Sequence, residues 1–302
     1  MDGVRGRGEM NMKRIRQRLR RLLGRNAAKL SPAAPPFDWV VLASQITSCP
    51  EFSQLEFHPL AGKIEGDRQY FFDGSFTTYP WSVDDMLHKL IEWTKGAGEP
   101  QEIVPFIEVV SKLPDDAVTF ELGGGWAFYS VMVGTRRPKA TMVIVEANPR
   151  LCEIARTNME RNDLTGRYRL YHAAVTEQDG ETLRFLEAGY GSTISGDGQY
   201  SVKTVSVDGI IDELHLSHIH IVHMDVQGEE LKVLRGMRRA LGRRAVDHVF
   251  VGTHGRDVHI ECERLLNDQG YRTVRSLNQG ESASGDGILI CVRREMGRSG
   301  AS

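Results

Sequence analysis

From residue 117 onward the chain alternates short apolar runs with longer amphipathic stretches. The segments TMVIVEA, RYRLYHA, IHIVHMDV and DHVFVGTH are rich in β-branched and apolar residues over strand-like lengths, and 117–122 is a shorter run of the same kind. Between them the apolar positions fall at helical spacing, which predicts helices over 149–161, 229–241 and 257–269, with Asn148 as the N-cap of the first and Pro149 in its opening turn. Strands that read as continuous apolar runs and are joined by helices belong to a parallel sheet buried on both faces, so the fold class is α/β, doubly wound. Two further strand-like segments, TLRFLEA and YSVKTVSVD, form an insertion joined by the small-residue loop GYGSTISGDG. TVRSLN and GILICVRR flank a Gly-rich turn and predict that the sheet closes with a hairpin, one strand of which runs antiparallel.

Upstream the pattern changes. Residues 12–26 (MKRIRQRLRRLLGRN) are basic, with Ile15, Leu19, Leu22 and Leu23 on one helical face, and LSPAAPPF follows as a linker. We expect a frayed tail able to make at most a weak contact with an anionic membrane surface. Residues 37–115 are rich in aromatics (GDRQYFFDGSFTTYPW) and include the helix-like SVDDMLHKLIEWTKG with Ser82 as its N-cap; this segment is too short for a second domain and is expected to pack on the core. The resulting division is tail and linker 1–36, helical and aromatic extension 37–115, α/β domain 116–294 and tail 295–302. A net charge of −2 over 302 residues gives no general footprint for nucleic acid, and the cysteines Cys49, Cys152, Cys262 and Cys291 lack metal-knuckle spacing. With no apolar run near the ~20 residues of a membrane span and no signal-like leader, a cytoplasmic protein is expected.

The candidate chemistry begins at TFELGGGWAFYS, where glycines separate the 117–122 strand from a helix predicted over 126–133 and closed by Gly134. Glycines there let the backbone turn sharply and approach a ligand. A dinucleotide fingerprint needs a third glycine where Phe128 stands. The stretch Glu121-x-Gly123-x-Gly125-x-Ala127 instead resembles the first motif of class I S-adenosylmethionine-dependent methyltransferases. Together with VEANP, the AAV after the third strand, SVDGIIDEL and IHIVHMDVQGEELKVLRGM, it resembles the FkbM family over about 116–293. Asp225, Gly228 and Glu230 match the family's pattern, whereas Gln227 stands where Glu is common.

That resemblance implies a mostly parallel seven-stranded, Rossmann-like sheet with S-adenosyl-L-methionine at its carboxyl edge, and O-methylation of a hydroxyl on a sugar, glycan or natural product. Glu121, Gly123, Gly125, Glu146, Ala173 and Asp225 are the expected cofactor-binding residues. Glu146, at the end of VIVE about 20 residues past the loop, is placed to accept hydrogen bonds from ribose hydroxyls. Adenine is expected near His172 and Ala173. Orientation carries most methyl transfer, but a hydroxyl needs a proton acceptor, for which His254 and Asp225 are the candidates. An unperturbed imidazole titrates near ~6.5, so a His254 base predicts a rate that falls on acidification through the neutral range. No metal is expected, because His220 and His223 lie on opposite strand faces. The aromatics Tyr70, Phe71, Phe72, Phe76, Tyr79 and Trp81 are expected to pack rather than to stack on substrate. Other readings are an NAD-dependent oxidoreductase or epimerase, which lacks a Y-x-x-x-K pair here, and an inactive cofactor-binding scaffold.

Overall fold

The computed structural model describes residues 38–80, 85–186, 193–194, 198 and 200–294. The basic helix of 12–26, Trp81, the Ser82 cap, most of the 189–198 loop and the C-terminal tail lie outside the described residues. The described chain opens with α1 (Trp39–Ser48), a 3-10 turn and a small antiparallel meander, β1 (Ile64–Glu65), β2 (Arg68–Tyr70) and β3 (Phe76–Thr78), followed by α2 (Asp85–Trp93) and α3 (Pro100–Val110). The α/β region then runs β4 (Val118–Leu122), α4 (Phe128–Arg136), β5 (Thr141–Glu146), α5 (Pro149–Arg161) and β6 (Tyr168–His172). Next come the insertion strands β7 (Ala174–Val175), β8 (Thr182–Leu186), β9 (Thr193–Ile194) and β10 (Tyr200–Val205), then α6 (Val207–Glu213). The chain returns through β11 (Ile219–Asp225), α7 (Glu230–Arg235), α8 (Arg238–Gly242), β12 (Val246–Thr253) and α9 (Arg256–Asp268), and ends with β13 (Tyr271–Leu277) and β14 (Gly287–Arg293).

The main sheet has seven strands in the order β13-β14-β12-β11-β4-β5-β6. Strands β12 to β6 are parallel, and β14 is antiparallel to both its neighbours, as the closing-hairpin pattern implied. From β4 the chain proceeds outward through β5 and β6, then crosses back to β11 on the other side of β4. This reversal opens a crevice at the carboxyl ends of β4 and β11, where open α/β sheets bind ligands. Met142, Val143, Ile144 and Val145 are all fully buried, which explains why β5 reads as an unbroken apolar run.

Local chemistry accounts for the element boundaries. Asn148 caps α5, its side-chain oxygen accepting from the backbone N–H groups of Arg150 at 2.9 Å and Leu151 at 3.4 Å, so the helix begins where the sequence implied. α4 starts later, at Phe128, because Ala127 is left-handed (φ 64°), and it continues past Gly134, whose expected stop is really a close approach to Leu164 and Met142. The helix predicted over 229–241 is two helices. Gly236 packs against the Thr176 carbonyl too tightly for a side chain, and the Asp208 carboxylate accepts from the N–H groups of Arg239 and Ala240, both at 2.9 Å, starting a new helix there.

The extension belongs to the same compact unit as the sheet. Asn158 of α5 donates to Thr77 Oγ1 and to the Trp126 carbonyl, both at 2.9 Å, and Phe71 meets Phe128 edge-on at 4.7 Å. Phe71, Phe72 and Phe76 are buried, so these three aromatics act as packing. α3 reaches furthest inward: Glu102, 2% exposed, accepts a 2.9 Å hydrogen bond from the Tyr129 hydroxyl of α4.

Candidate functional site

A cavity of about 190 Å³ lies in the crevice, with Gly123, Gly125, Glu146, Ala173 and Asp225 in its wall. Those residues come from the ends of β4, β5, β6 and β11 and the loops that follow. Gly123 has φ +74°, and a Cβ built on it runs into the carbonyl oxygen of Asp225. The glycine is therefore needed to seat the loop against the end of β11. Gly125, at φ +51°, donates its N–H to Glu146 Oε2 at 2.8 Å, and Asn148 N–H donates to Oε1 at 2.7 Å. Glu146 is 7% exposed; burial pushes its carboxyl up, while the N–H groups of Asn148, Gly125 and Ala147 pull it down. The carboxylate keeps lone-pair capacity for a ligand hydroxyl.

Glu121 is not in the described wall of this cavity. Its carboxylate lies beneath the loop and accepts from Tyr129 N–H at 3.1 Å and Ser130 N–H at 2.8 Å, so it anchors the start of α4. His172 is turned away as well: its Nε2 meets the Ala147 carbonyl at 3.1 Å on the exposed side. Ala173 faces in, with Ala174, Val175, Leu151 and the insertion's Phe185 supplying an apolar wall.

Asp225 joins the cavity to a second cluster. Its Oδ1 accepts from the Gln227 side-chain amide at 3.0 Å and lies 3.5 Å from His254 Nε2. Gln227 can bridge them because it adopts φ 53° ahead of Gly228 at φ 98°, which folds its amide back to within 3.0 Å of His254 Nε2. On the other side of the ring His254 Nδ1 donates to Glu230 Oε1 at 2.8 Å, and Glu230 is fully buried. Since Nδ1 keeps its proton for that carboxylate, Nε2 is the nitrogen that titrates. Burial disfavours the imidazolium, but the Glu230 hydrogen bond and the negative charges of Asp225, Glu230 and Asp286 outweigh it and raise the pKa to about 9. The expectation of an unperturbed imidazole is corrected accordingly. Burial, above all, also raises Asp225, against the opposing pull of His254 and His223.

Among the described residues of the cavity wall the charged groups are Glu146, Asp225 and Glu229, all acidic. A pyrophosphate would meet like charge on this wall, whereas a sulfonium and an ammonium would meet opposite charge. The apolar wall suits an adenine ring, and the Glu146 carboxylate suits ribose hydroxyls. The described residues therefore fit S-adenosylmethionine and oppose a dinucleotide.

Residues 115–273, just over half of the chain, match the Methyltransferase FkbM domain. The chain belongs to the FkbM methyltransferase family. It is similar to the hexuronic acid methyltransferase AglP of Haloferax volcanii, 25% identical over 175 residues that span 57% of this chain and 71% of the relative. It is also similar to the 2-O-methyltransferase NoeI of Sinorhizobium fredii, 30% identical over 179 residues, 52% of this chain and 72% of the relative. Among solved structures, the METTL16 MTase domain aligns over 86% of this chain and 94% of its own, at 13% identity and a TM-score of 0.45. As an FkbM methyltransferase the chain uses S-adenosylmethionine as its cofactor.

Sequence reading of this FkbM chain missed Gln227, Glu230 and Asp286 as partners of His254, and Phe185 as a wall of the cavity. Gln227 and Glu230 were visible as motif positions; Asp286 and Phe185 carry no local signal. The histidine run does assemble a cluster, but through a different pair. His218, His220 and Asp247 bring ligand-type atoms within 4.8 Å at the amino edge of the sheet, far along β11 from Asp225. There His220 Nδ1 accepts from Val118 N–H at 3.1 Å, and Asp247 pairs with Arg293 at 2.8 Å, so both are already engaged.

Proposed function

We propose that this chain transfers a methyl group from S-adenosylmethionine to a hydroxyl of a sugar or of a hydroxylated natural product, with His254 and Asp225 handling the hydroxyl proton. The observation that carries this reading is the contact between two different surfaces: a cavity wall whose charged groups, among the described residues, are all acidic and which ends at Asp225, and a buried imidazole whose Nε2 lies 3.5 Å from Asp225. The 2-O-methyltransferase NoeI and the hexuronic acid methyltransferase AglP support the acceptor class.

Bound S-adenosylmethionine supplies an already activated methyl group. Held by Glu146, Asp225 and the Gly123–Gly125 loop, it would give that methyl to the acceptor oxygen and leave as S-adenosylhomocysteine, and the hydroxyl proton would pass to Nε2 of His254. Glu230 holds the ring by Nδ1 and stabilises the imidazolium that results; Gln227 and Asp225 fix the direction in which Nε2 points. With a pKa of about 9, roughly one His254 in a hundred is free to accept a proton at neutral pH in the unliganded protein. The rising limb of the rate is thus displaced from the neutral range to the alkaline side.

The test is incubation of the full chain with methyl-labelled S-adenosylmethionine and a panel of glycosides, polyols and nicotinamide-dependent alcohols. Label in the acceptor and release of S-adenosylhomocysteine are expected. Reduction of NAD with an alcohol, and no methyl transfer, would overturn the reading.

A further inference from the structure

The side of the site beyond Asp225 is assembled from separate stretches of chain. Glu99 and Glu102 come from the start of α3, Asp225 from the end of β11, His254 from the end of β12 and Asp286 from the turn before β14. His254 Nε2 lies 3.5 Å from Asp225 Oδ1 and 3.8 Å from Asp286 Oδ1. The arrangement is held in place, because Gln101 Oε1 of α3 accepts from Ala283 N–H at 2.6 Å and so ties the turn carrying Asp286 to the extension. Asp225 and Asp286 retain side-chain exposures of 33% and 42%, enough to meet a ligand.

The strongest charges acting on these acids are those of one another and of two histidines: His254 and His223 on Asp225, His254 on Asp286, and on Glu99 the carboxylates of Glu102, Asp225 and Asp286. Neither lysine nor arginine is among them. Glu102, on a side chain 2% exposed, places Oε1 3.5 Å from His223 Nε2, and its charge also acts on Glu99, Asp225 and Asp286. Burial and the neighbouring carboxylates together push Glu99 well above its ordinary range, the behaviour of a place already crowded with negative charge.

On the reading of the site given above, we propose that the acceptor is a neutral or ammonium-bearing hydroxyl compound, and that a carboxylate or phosphate beside the reacting hydroxyl is rejected. An added anion would face Asp225 and Asp286 with only the imidazoles of His254 and His223 to offset them, and like charges set against each other at a contact are costly. An added ammonium would be paired. The requirement separates this chain from a methyltransferase that acts on a hexuronic acid.

The experiment compares initial rates on the methyl glycosides of glucose, glucosamine and glucuronic acid, with labelled S-adenosylmethionine and with cofactor affinity measured by calorimetry in parallel. These probes differ chiefly in charge around the same ring. The glucuronide is expected to show kcat/KM at least ~10-fold below the glucoside, with the glucosaminide at or above it. In Asp286→Asn that gap narrows by about threefold or more, a change of ratio that loss of packing alone does not produce. A glucuronide used as well as the glucoside, or better, overturns the inference while leaving methyl transfer to a sugar hydroxyl intact. No transfer to any of the three by a protein that binds the cofactor overturns the sugar-hydroxyl reading, and this inference with it.

Discussion

The half of this site around Glu146, proposed for the cofactor, and the half around His254, proposed for the acceptor, are built on different principles. Around Glu146 the geometry is set by backbone: two N–H groups hold the carboxylate, Gly123 closes against the Asp225 carbonyl, and every residue lies within a few positions of a strand end. Around His254 the geometry is set by side chains: Asp225, Gln227 and Glu230 of one short stretch and Asp286 of the turn before β14 converge on one ring. Backbone-built sites tolerate changes of side chain but not of chain path. Side-chain-built sites hold their charges against each other, and so respond steeply to charge and pH.

The sharpest break of this contrast is His254→Ala. Turnover should fall by about 10²-fold or more, the usual scale for a general base, while cofactor affinity stays within about twofold. Steady-state rates and calorimetry on the same protein check both, and an unchanged rate at neutral pH removes the imidazole from proton transfer. Next is Gly123→Val, which should cost on the order of 2–3 kcal/mol of folding stability, because a β-branched residue at φ +74° is strained and also meets the Asp225 carbonyl. Urea unfolding measures it; a variant as stable as the parent that merely fails to bind cofactor would show that ligand space, not chain path, selects the glycine.

Glu146→Ala should weaken S-adenosylmethionine binding by at least ~1.5 kcal/mol through loss of charge-assisted hydrogen bonds. Unaltered affinity by calorimetry in a folded variant would take the carboxylate out of the cofactor half. A gentler test of the acceptor half is pH. His254 is raised to about 9 in the folded protein against ~6.5 unfolded, so its contribution is fully present below ~6.5 and is lost as pH rises through about 9. Thermal unfolding between those limits should show the parent losing stability that His254→Gln never had, and kcat/KM should rise with pH over the same window. The smallest effect belongs to Asn148→Ala, about 1 kcal/mol, from loss of the α5 cap. Its backbone N–H still reaches Glu146, so cofactor affinity should change little.

The same contrast explains what was legible in the sequence. The positions of the main strands, the closing antiparallel β14 and the α5 cap followed from apolar runs and capping residues, and the expectation that Gly123, Gly125, Glu146, Ala173 and Asp225 share one edge came from the family's motifs beside strand ends. These are local signals: hydrophobic periodicity and glycine position act over a few residues, and the doubly wound topology then brings all carboxyl ends to one edge. Glu121 was read onto that edge because it is adjacent in sequence, yet its carboxylate turns under the loop to hold α4. The split of α7 from α8 depended on Asp208, some thirty residues upstream of the N–H groups it caps.

His254 could be named from the sequence as a candidate base, but not its charge. That charge depends on Glu230 reaching one nitrogen and on Asp225 and Asp286 flanking the other, from three different elements. The pairing of Glu99 and Glu102 with the far end of the chain arises only when the extension packs against the sheet, as the Gln101–Ala283 hydrogen bond shows. Fold class, cofactor edge and family were therefore determined by the sequence itself, through short-range patterns that any folded copy of the chain must obey. The protonation of His254 and the electrostatic character of the carboxylates around it were decided by tertiary structure, because Coulomb interactions and burial depend on distance in space and not along the chain.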